Sequence, residues 1–101
     1  MRKNKKKPPL VSIILNCYNS AKFLKKSIKS VIFQSYKNWE LIIFDNCSND
    51  NTKSEILKFK KIKKIKYFRS KKFYSLYNAR NLAIKKTRGS LISFLDADDW
   101  W

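Results

Sequence analysis

The sequence predicts an α/β domain with a parallel sheet and alternating helices, and three observations support this prediction. Short apolar runs alternate with segments of helical periodicity. Their order is strand, helix, strand, helix, strand, helix, strand, without an internal repeat or a long linker. The run from Leu41 to Phe44 is continuous, as expected for a strand buried on both faces. Alternation of this kind implies parallel strands joined by right-handed crossovers.

Four segments have the length and composition of strands. Each is rich in apolar residues and is bounded by polar or turn-forming residues. The fourth follows Gly89, which we expect to provide the C-terminal stop of the preceding helix. The predicted strands are Leu10 to Leu15, Trp39 to Phe44, Ile65 to Arg69 and Ser90 to Leu95.

Three segments between these strands have apolar residues at helical spacing. The first places Leu24 and Ile28 on one face among lysines, and Ser20 is available as its cap. The second opens at Thr52, which has the spacing of a capping box with Glu55. The predicted helices cover about three turns after Ser20, Thr52 to about Phe59, and Tyr77 to Lys86.

The chain has 101 residues, room for one domain, and a net charge of +17. Hydrophobic residues make up 44% of it, which argues against disorder. The charge has two interpretations: an electrostatic footprint for nucleic acid or an anionic membrane, or a solvated lysine-rich surface. We favour the second, because net charge reports on solubility and loose association. We expect residues 1–9 to form a basic disordered tail and residues 10–101 to fold.

Two cysteines, Cys17 and Cys47, form no Cys-x-x-Cys motif, and the chain has no His. These residues therefore form neither a structural zinc site nor a cysteine–histidine hydrolase, and we expect reduced, partly buried thiols. No segment reaches the ~20 apolar residues that span a bilayer, and the N-terminal lysines lack the apolar core of a secretory signal. We expect a cytoplasmic protein, with its charge compatible with peripheral contact at the inner face of the membrane.

Polar loops follow three of the predicted strands, at residues 16–19, 45–50 and 96–99. In a parallel sheet these loops meet at one edge, where open α/β sheets bind their ligands. In the last loop Asp96 and Asp98 form an Asp-x-Asp pair, and carboxylates this close require a positive partner. A divalent cation with hard oxygen ligands is the simplest such partner.

Three polar loops around an Asp-x-Asp suit a nucleoside diphosphate. A dinucleotide-binding Gly-x-Gly-x-x-Gly motif and a P-loop are excluded, because the chain contains one Gly. An aspartate-nucleophile phosphatase would carry its acidic pair after an early strand, whereas the first strand here ends at Asn16. Taken alone, the Asp-x-Asp is equally compatible with a solvated acidic turn.

Several motifs, in this order and spacing, resemble the family 2 glycosyltransferases. They are Val-Ser-Ile-Ile-Leu-Asn-Cys-Tyr-Asn at 11–19, Ser-Val-Ile-Phe-Gln-Ser-Tyr at 30–36, the segment 40–50, Ala-Arg-Asn at 79–81, Gly89, and Asp-Ala-Asp-Asp-Trp at 96–100. The resemblance covers residues 9–101. It implies a GT-A fold, in which a Rossmann-like half binds the nucleotide and a second half binds the acceptor. It also implies inverting transfer of a sugar from a nucleoside diphosphate sugar to an acceptor hydroxyl.

The resemblance also implies site residues and a divalent metal, Mn²⁺ or Mg²⁺. For Asn46 the alternative is a turn residue that bonds its own backbone, and for Arg80 it is a solvated helix position. No catalytic residue is assigned, since the general base is expected beyond Trp101. We therefore expect a truncated domain that holds the donor-binding half. The implied nucleotide-binding residues are Asn16, Tyr18, Asn19, Asp45, Asn46, Arg80 and Asp96, and the implied metal ligands are Asp98 and Asp96.

The chain departs from the family pattern at three positions. Asn16 stands where Pro is commoner, Asn46 where a second Asp often contacts the base, and Cys47 where Gly is frequent. An amide both donates and accepts hydrogen bonds, so we expect Asn46 to alter the preference for the donor base.

The implied partners are a nucleoside diphosphate sugar and a glycan, lipid-linked or protein acceptor, in polysaccharide biosynthesis or protein glycosylation. Two other hypotheses stay open. A basic nucleic-acid-binding module, which we consider the weaker one, would bind with an affinity that falls steeply with salt. An inactive remnant would bind no ligand.

Overall fold

A four-stranded parallel sheet organises the chain, and the computed structural model describes residues 8–96 of it. The strand order is β3-β2-β1-β4. All seven predicted elements are present, and the predicted parallel α/β fold is confirmed. The strands are β1 (Val11–Cys17), β2 (Trp39–Asp45), β3 (Ile65–Arg69) and β4 (Leu91–Asp96), and the helices are α1 (Ala21–Ile32), α2 (Thr52–Leu57) and α3 (Leu76–Ile84).

The two central strands, β1 and β2, are buried on both faces, which explains their continuous apolar runs. Successive side chains of a strand point to opposite faces, so each strand contributes to two cores. The core beneath α3 contains Ile14, Ile42, Phe44, Ala79 and Ala83. The core beneath α1 and α2 contains Ile13, Leu15, Leu24, Ile28, Leu41, Ile43 and Ile56, among others.

The three helices of residues 8–96 have 12, 6 and 9 residues. None of them combines the length and the apolar character needed to cross a bilayer. The tail predicted for residues 1–9 lies mostly outside the described residues. Pro8 and Pro9 have no regular structure, and their carbonyl oxygens accept hydrogen bonds from Asn38 and Tyr36.

A buried carboxylate ties together the amino-terminal ends of the strands. Glu40 of β2 is 3% exposed and accepts a 2.6 Å hydrogen bond from the Ser12 hydroxyl of β1. The backbone N–H of Arg88 and Nζ of Lys66 donate to it at 2.5 Å and 2.9 Å. Burial alone raises the pKa of Glu40. The hydrogen bonds and the Lys66 charge outweigh burial, and they hold this pKa below its ordinary value of 4.5.

The prediction that Gly89 ends helix α3 is wrong. The helix ends at Ile84, and Lys85 follows it in a right-handed conformation. Gly89 lies instead against β1, where a Cβ atom would come within 2.6 Å of the Leu10 carbonyl oxygen and 2.5 Å of Ser12 Oγ. Glycine is required for this close approach, and its N–H donates a 2.7 Å hydrogen bond to Ser12 Oγ.

The capping box predicted for Thr52 and Glu55 is not formed. The N-cap of α2 is Asn51, so Thr52 is already the first helical residue. The Thr52 hydroxyl donates to the Asp50 carboxylate, while Glu55 forms a 2.8 Å ion pair with Lys58. In a capping box the Thr52 hydroxyl oxygen would accept a hydrogen bond from the Glu55 N–H. Here that oxygen accepts one of 3.0 Å from the Ser20 N–H, and the Glu55 N–H donates to the Asn51 carbonyl oxygen.

Candidate functional site

The carboxyl-terminal ends of the strands meet at one edge of the sheet, as predicted. Asn16 of β1 lies beside Phe44 of β2 and Asp96 of β4 in the strand register. Asp45, the last residue of β2, lies beside Arg69 of β3. The edge therefore brings together the backbone of Asn16, Asp45 and Asp96, each from a different strand.

Asp45 is fully buried, and both of its carboxylate oxygens have partners. Oδ1 accepts a 3.0 Å hydrogen bond from the backbone N–H of Ser48, and Oδ2 accepts one of 2.7 Å from the Tyr67 hydroxyl. Nε of Arg69 lies 3.8 Å from Oδ2. Burial, together with the hydrogen bond to the Asp45 carboxylate, raises the pKa of Tyr67. Asp45 therefore fixes the loop that follows β2 while its own carboxylate is covered.

Both cysteines are free thiols, as predicted, and both belong to the strand-end edge. Cys17 is the last residue of β1, and its thiol donates to the Phe44 carbonyl oxygen at 3.7 Å. Burial first, and then the nearby charges of Asp45 and Asp50, raise the pKa of Cys17. This thiol is neutral at physiological pH and lacks the lowered pKa of a reactive cysteine.

The loops that follow β1 and β2 are joined by hydrogen bonds. The Asn19 N–H donates to Ser48 Oγ at 2.8 Å, and the Asn49 N–H donates to Asn19 Oδ1 at 2.8 Å. Two residues of these loops have left-handed backbones, Asn19 with φ of 47° and Cys47 with φ of 63°. Positive φ is uncommon outside glycine, and such strain is frequent at functional sites.

Asp50 lies at the N-termini of both α1 and α2. It accepts hydrogen bonds from the backbone N–H groups of Ala21, at 3.4 Å, and Thr52, at 2.9 Å. Desolvation raises the pKa of Asp50, but the hydrogen bonds from Thr52 and Ala21 outweigh it and lower the pKa below its ordinary value of 3.8. Ser20 is the N-cap residue of α1, as predicted, although its hydroxyl bonds the backbone of Tyr18 rather than the helix.

A pocket of about 190 Å³ opens beside the end of β1. One wall is Asn16, which is 8% exposed and whose Oδ1 has no hydrogen-bond partner within residues 8–96. Another wall consists of Tyr18 and Phe73, whose rings meet edge to face with their centroids 4.8 Å apart. Leu76 and Asn46 also line the pocket. The pocket therefore combines a buried acceptor oxygen with two aromatic rings.

The side chain of Asn46 holds the loop between β3 and α3. Its Nδ2 donates a 2.8 Å hydrogen bond to the Tyr74 carbonyl oxygen, and its Oδ1 accepts one of 2.9 Å from the Tyr74 N–H. Its backbone N–H donates to the Cys17 carbonyl oxygen at 2.8 Å. The amide thus joins two loops and does not bond its own backbone, as an isolated turn residue would.

Arg80 lies on α3 and faces β4, with its guanidinium carbon 5.3 Å from the centroid of the Phe94 ring. It is half-buried, so it is not a solvated helix position. The side chain of Asp96 and the whole of Asp98 lie outside the described residues, and the predicted metal pair lies there with them. Within residues 8–96, no three His, Cys, Asp or Glu side chains are grouped to hold a metal ion.

A larger cavity of about 380 Å³ lies between α1 and β4, away from the strand-end loops. Its walls include Val31, Gln34 and Phe94, and no titratable side chain among the described residues lines it. The part of the chain that the structure describes therefore offers this cavity no group for acid–base chemistry, and we take the smaller pocket as the candidate site.

Some residues of this edge were not predicted from the sequence, among them Tyr67, Phe73 and Tyr74. The signal for the last two is topological. Residues 70–75 also follow a parallel strand, so their loop must reach the same edge as the other three. Tyr67 carries no local signal, because its partner Asp45 belongs to another strand.

Comparison with known proteins assigns the chain to a family. The model of the family described as Glycosyl transferase family 2 matches residues 12–101. The chain belongs to glycosyl transferase family 2. Membership confirms the resemblance drawn from the motifs.

Two curated relatives in family 2 come from Escherichia coli. The chain is 42% identical over 92 residues to the UDP-Glc:alpha-D-GlcNAc-diphosphoundecaprenol beta-1,3-glucosyltransferase WfgD, covering 91% of this chain and 36% of WfgD. It is 39% identical over 92 residues to WfaP, which has the same named activity, covering 91% of this chain and 36% of WfaP. The chain therefore spans little more than a third of the length of these relatives.

Solved structures of glycosyltransferases share the fold. S. aureus TarS 1-349 superposes with a TM-score of 0.83 at 27% identity, over 89% of this chain and 28% of that one. Its complex with UDP-GlcNAc gives a TM-score of 0.80 at 26% identity, over 89% and 27% of the two chains. The mannosyltransferase PcManGT from Pyrobaculum calidifontis, in complex with GDP-Man and Mn²⁺, gives 0.85 at 22% identity, over 92% and 28%. The last likeness concerns the fold alone, and together the three place the chain in the GT-A fold.

Proposed function

We propose that this family 2 domain binds a nucleoside diphosphate sugar at the carboxyl edge of its sheet and serves transfer of the sugar to an acceptor hydroxyl with inversion. The observation that carries the proposal is the pocket at this edge, in which the buried Oδ1 of Asn16 lies beside two aromatic rings and next to the end of β4. The relatives support it, since WfgD is named for the donor UDP-Glc and TarS binds UDP-GlcNAc.

The proposed nucleotide-binding residues act in two ways. Asn16 and Tyr18 line the pocket. In this proposal they contact the base and ribose directly. Asn19 and Asp45 are engaged in hydrogen bonds between and within loops, so they act by fixing the shape of the loops around the nucleotide. Asn46, Arg80 and Asp96 complete the proposed set.

A divalent metal, Mn²⁺ or Mg²⁺, is the proposed cofactor, with Asp98 and Asp96 as its ligands. The donor set fits, because carboxylate oxygens are the hard ligands that these ions prefer and β4 ends at Asp96 beside Asn16. When bound, such an ion neutralises the charge that builds on the departing diphosphate.

Inversion requires the acceptor hydroxyl to attack from the face opposite the departing diphosphate, with a base to take its proton. We assign donor binding to residues 10–101 and expect the base beyond Trp101. Purified residues 1–101 should therefore bind donor without transferring sugar. Sugar transfer by this purified chain would contradict the assignment.

The proposed acceptor is a glycan hydroxyl on a lipid-linked or protein carrier, and the named substrate of WfgD, a diphosphoundecaprenol, favours the lipid-linked class.

We further propose peripheral contact with the inner face of the membrane. The loop between α2 and β3 supports this, since each exposed lysine near an anionic bilayer is worth about 1 kcal/mol. Its exposed lysines are Lys58, Lys60, Lys61, Lys63 and Lys64.

Calorimetric titration with UDP and GDP, with and without Mn²⁺, tests the proposal. We expect binding of one nucleotide that requires the metal and disappears in Asp98→Ala. The matched control is Glu55→Ala, which removes an acid paired with Lys58 on α2 and should bind as the wild type does. Metal-independent nucleotide binding, or none by protein with native circular dichroism, would count against the proposal. Oligonucleotide binding that weakens steeply with salt would favour a nucleic-acid-binding module instead.

A further inference from the structure

Phe73 is a large aromatic residue that is 60% exposed and stands in the wall of the strand-end pocket. Its ring meets that of Tyr18 at an interplanar angle of 70°, which leaves the two rings as adjoining walls rather than as a closed stack. An aromatic face beside a nucleotide pocket is suited to stacking on a nucleobase, because every base has a flat π-surface. Covering the ring in this way would also remove its apolar surface from water.

The position of Phe73 is fixed by Asn46, through the neighbouring residue Tyr74. The amide of Asn46 makes one hydrogen bond to the Tyr74 carbonyl oxygen and one from the Tyr74 N–H, at 2.8 Å and 2.9 Å. The first bond needs an N–H donor, which a carboxylate lacks. An amide at position 46 therefore anchors the loop that carries Phe73, and an aspartate there would lose half of this anchor.

A second, independent observation in the same pocket points to a ligand. Asn16 is buried, and its Oδ1 has no donor within residues 8–96. Buried polar atoms are paired in the great majority of cases, so an exception in a pocket wall marks the place of a ligand donor. A ring N–H or exocyclic amino group of a nucleobase supplies such a donor.

We propose that Phe73 stacks on the nucleobase of the donor and that Asn46 is the positioning residue which holds Phe73 in place. Asn16 Oδ1 accepts a hydrogen bond from the edge of the same base. This inference rests on the proposed function, because it assigns the base-recognition part of that site. It assigns to Asn46 a role through the loop of Phe73, in addition to any contact of its own with the base.

Calorimetry with Phe73→Ala tests the stacking role, in the presence of Mn²⁺ and with the nucleotide, UDP or GDP, that the wild type binds. Loss of one base-stacking ring should weaken nucleotide binding about 5- to 100-fold. Binding of inorganic pyrophosphate, which has no base, should stay unchanged. Phe33→Ala is the matched control, since Phe33 is 77% exposed at the C-cap of α1, away from the pocket.

A double-mutant cycle tests the positioning role of Asn46. Asn46→Asp should weaken nucleotide binding more in the wild type than in Phe73→Ala, because residues that act through one another are not additive. Full additivity of the two substitutions would overturn the positioning role.

The outcomes separate this inference from the function on which it rests. If the wild type binds nucleotide and Phe73→Ala binds it with the same affinity as Phe33→Ala, the inference is wrong and the proposed function stands. Equal losses of nucleotide and pyrophosphate binding in Phe73→Ala would overturn it too, since the ring would then act on the fold or the phosphates. No nucleotide binding by the folded wild type would overturn the proposed function and this inference together.

Discussion

The hydroxyl of Tyr67 donates a 2.7 Å hydrogen bond to the fully buried carboxylate of Asp45. The two residues belong to adjacent strands, and the Asp45 carbonyl oxygen also accepts a 3.0 Å hydrogen bond from the Ser70 N–H. The pair therefore couples β3, and the loop that leaves it, to the loop after β2. Both loops border the candidate nucleotide pocket.

Tyr67→Phe tests this coupling, because it removes the hydroxyl and keeps the ring. We expect the free energy of unfolding at pH 7 to fall by about 1.5–3 kcal/mol, the usual range for a hydrogen bond to a charged group. Urea denaturation measures the change. Tyr77→Phe is the control, since Tyr77 is 75% exposed and should change stability by less than about 0.5 kcal/mol.

The same variant makes a pH prediction. The folded state raises the pKa of Tyr67, so its contribution to stability is complete below the unfolded-state pKa of about 10 and is lost as the pH rises through the higher folded-state value. The difference in unfolding free energy between wild type and Tyr67→Phe should shrink above about pH 10. A difference that stays constant to higher pH would contradict the assigned hydrogen bond.

Glu40→Gln tests the buried carboxylate at the opposite edge. The substitution removes the charge that Lys66 pairs with. Either orientation of the new amide turns its NH₂ group toward a donor, which is Lys66 in one orientation and Ser12 with Arg88 in the other. We expect a loss of about 3 kcal/mol in unfolding free energy at pH 7. Glu55→Gln, whose Lys58 partner is exposed, should lose less than about 0.5 kcal/mol.

The direction of the pKa shift of Glu40 predicts how the free energy of unfolding changes at acidic pH. Folding lowers this pKa, so the stabilising contribution is present above the ordinary value of 4.5 and is lost as the pH falls through the lower folded-state value. Wild type should therefore lose more stability than Glu40→Gln as the pH falls below 4.5. Urea denaturation at a series of acidic pH values measures this. If wild type and Glu40→Gln lose the same unfolding free energy as the pH falls, the carboxylate is not held by these partners.

Cys47→Gly tests the strained backbone at φ of 63°. A left-handed conformation costs an L-residue roughly 1–2 kcal/mol, and glycine avoids this cost at the expense of a more flexible unfolded chain. We expect Cys47→Gly to gain up to about 1 kcal/mol in unfolding free energy. Cys47→Ala is the control, because it removes the thiol and keeps the Cβ atom. If the two variants have the same stability, strain at this position is not significant.

Much of the fold follows from short-range patterns in the sequence. The continuous run at Leu41 to Phe44 predicts a doubly buried strand, and alternation with helices predicts parallel pairing. The convergence of Asn16, Asp45 and Asp96 follows from parallel pairing alone, and the register confirms it. These features depend on the spacing of apolar residues within each segment, and that spacing can be read from the segment's own sequence.

The remaining features depend on residues that are distant in sequence. The bonds from Asn46 to Tyr74 and from Tyr67 to Asp45 join separate loops or strands, and neither has a local signature. The capping box failed for a related reason. The spacing of Thr52 and Glu55 is correct, but the Thr52 hydroxyl oxygen accepts a hydrogen bond from the N–H of Ser20, which lies 32 residues away in the sequence. Competition of this kind is decided by three-dimensional proximity, which spacing does not encode.

The contact of Gly89 with β1 sets the register of β4 against β1. The N–H groups of Gly89 and Ser90 bond Ser12 Oγ and the Leu10 carbonyl oxygen, which sets where β4 starts along β1. A slip of one residue would turn every side chain of β4 to the opposite face of the sheet. Asp96, at the far end of the strand, would then leave its place beside Asn16. A steric fit at one edge of the sheet thereby determines which acidic residue reaches the nucleotide pocket at the other.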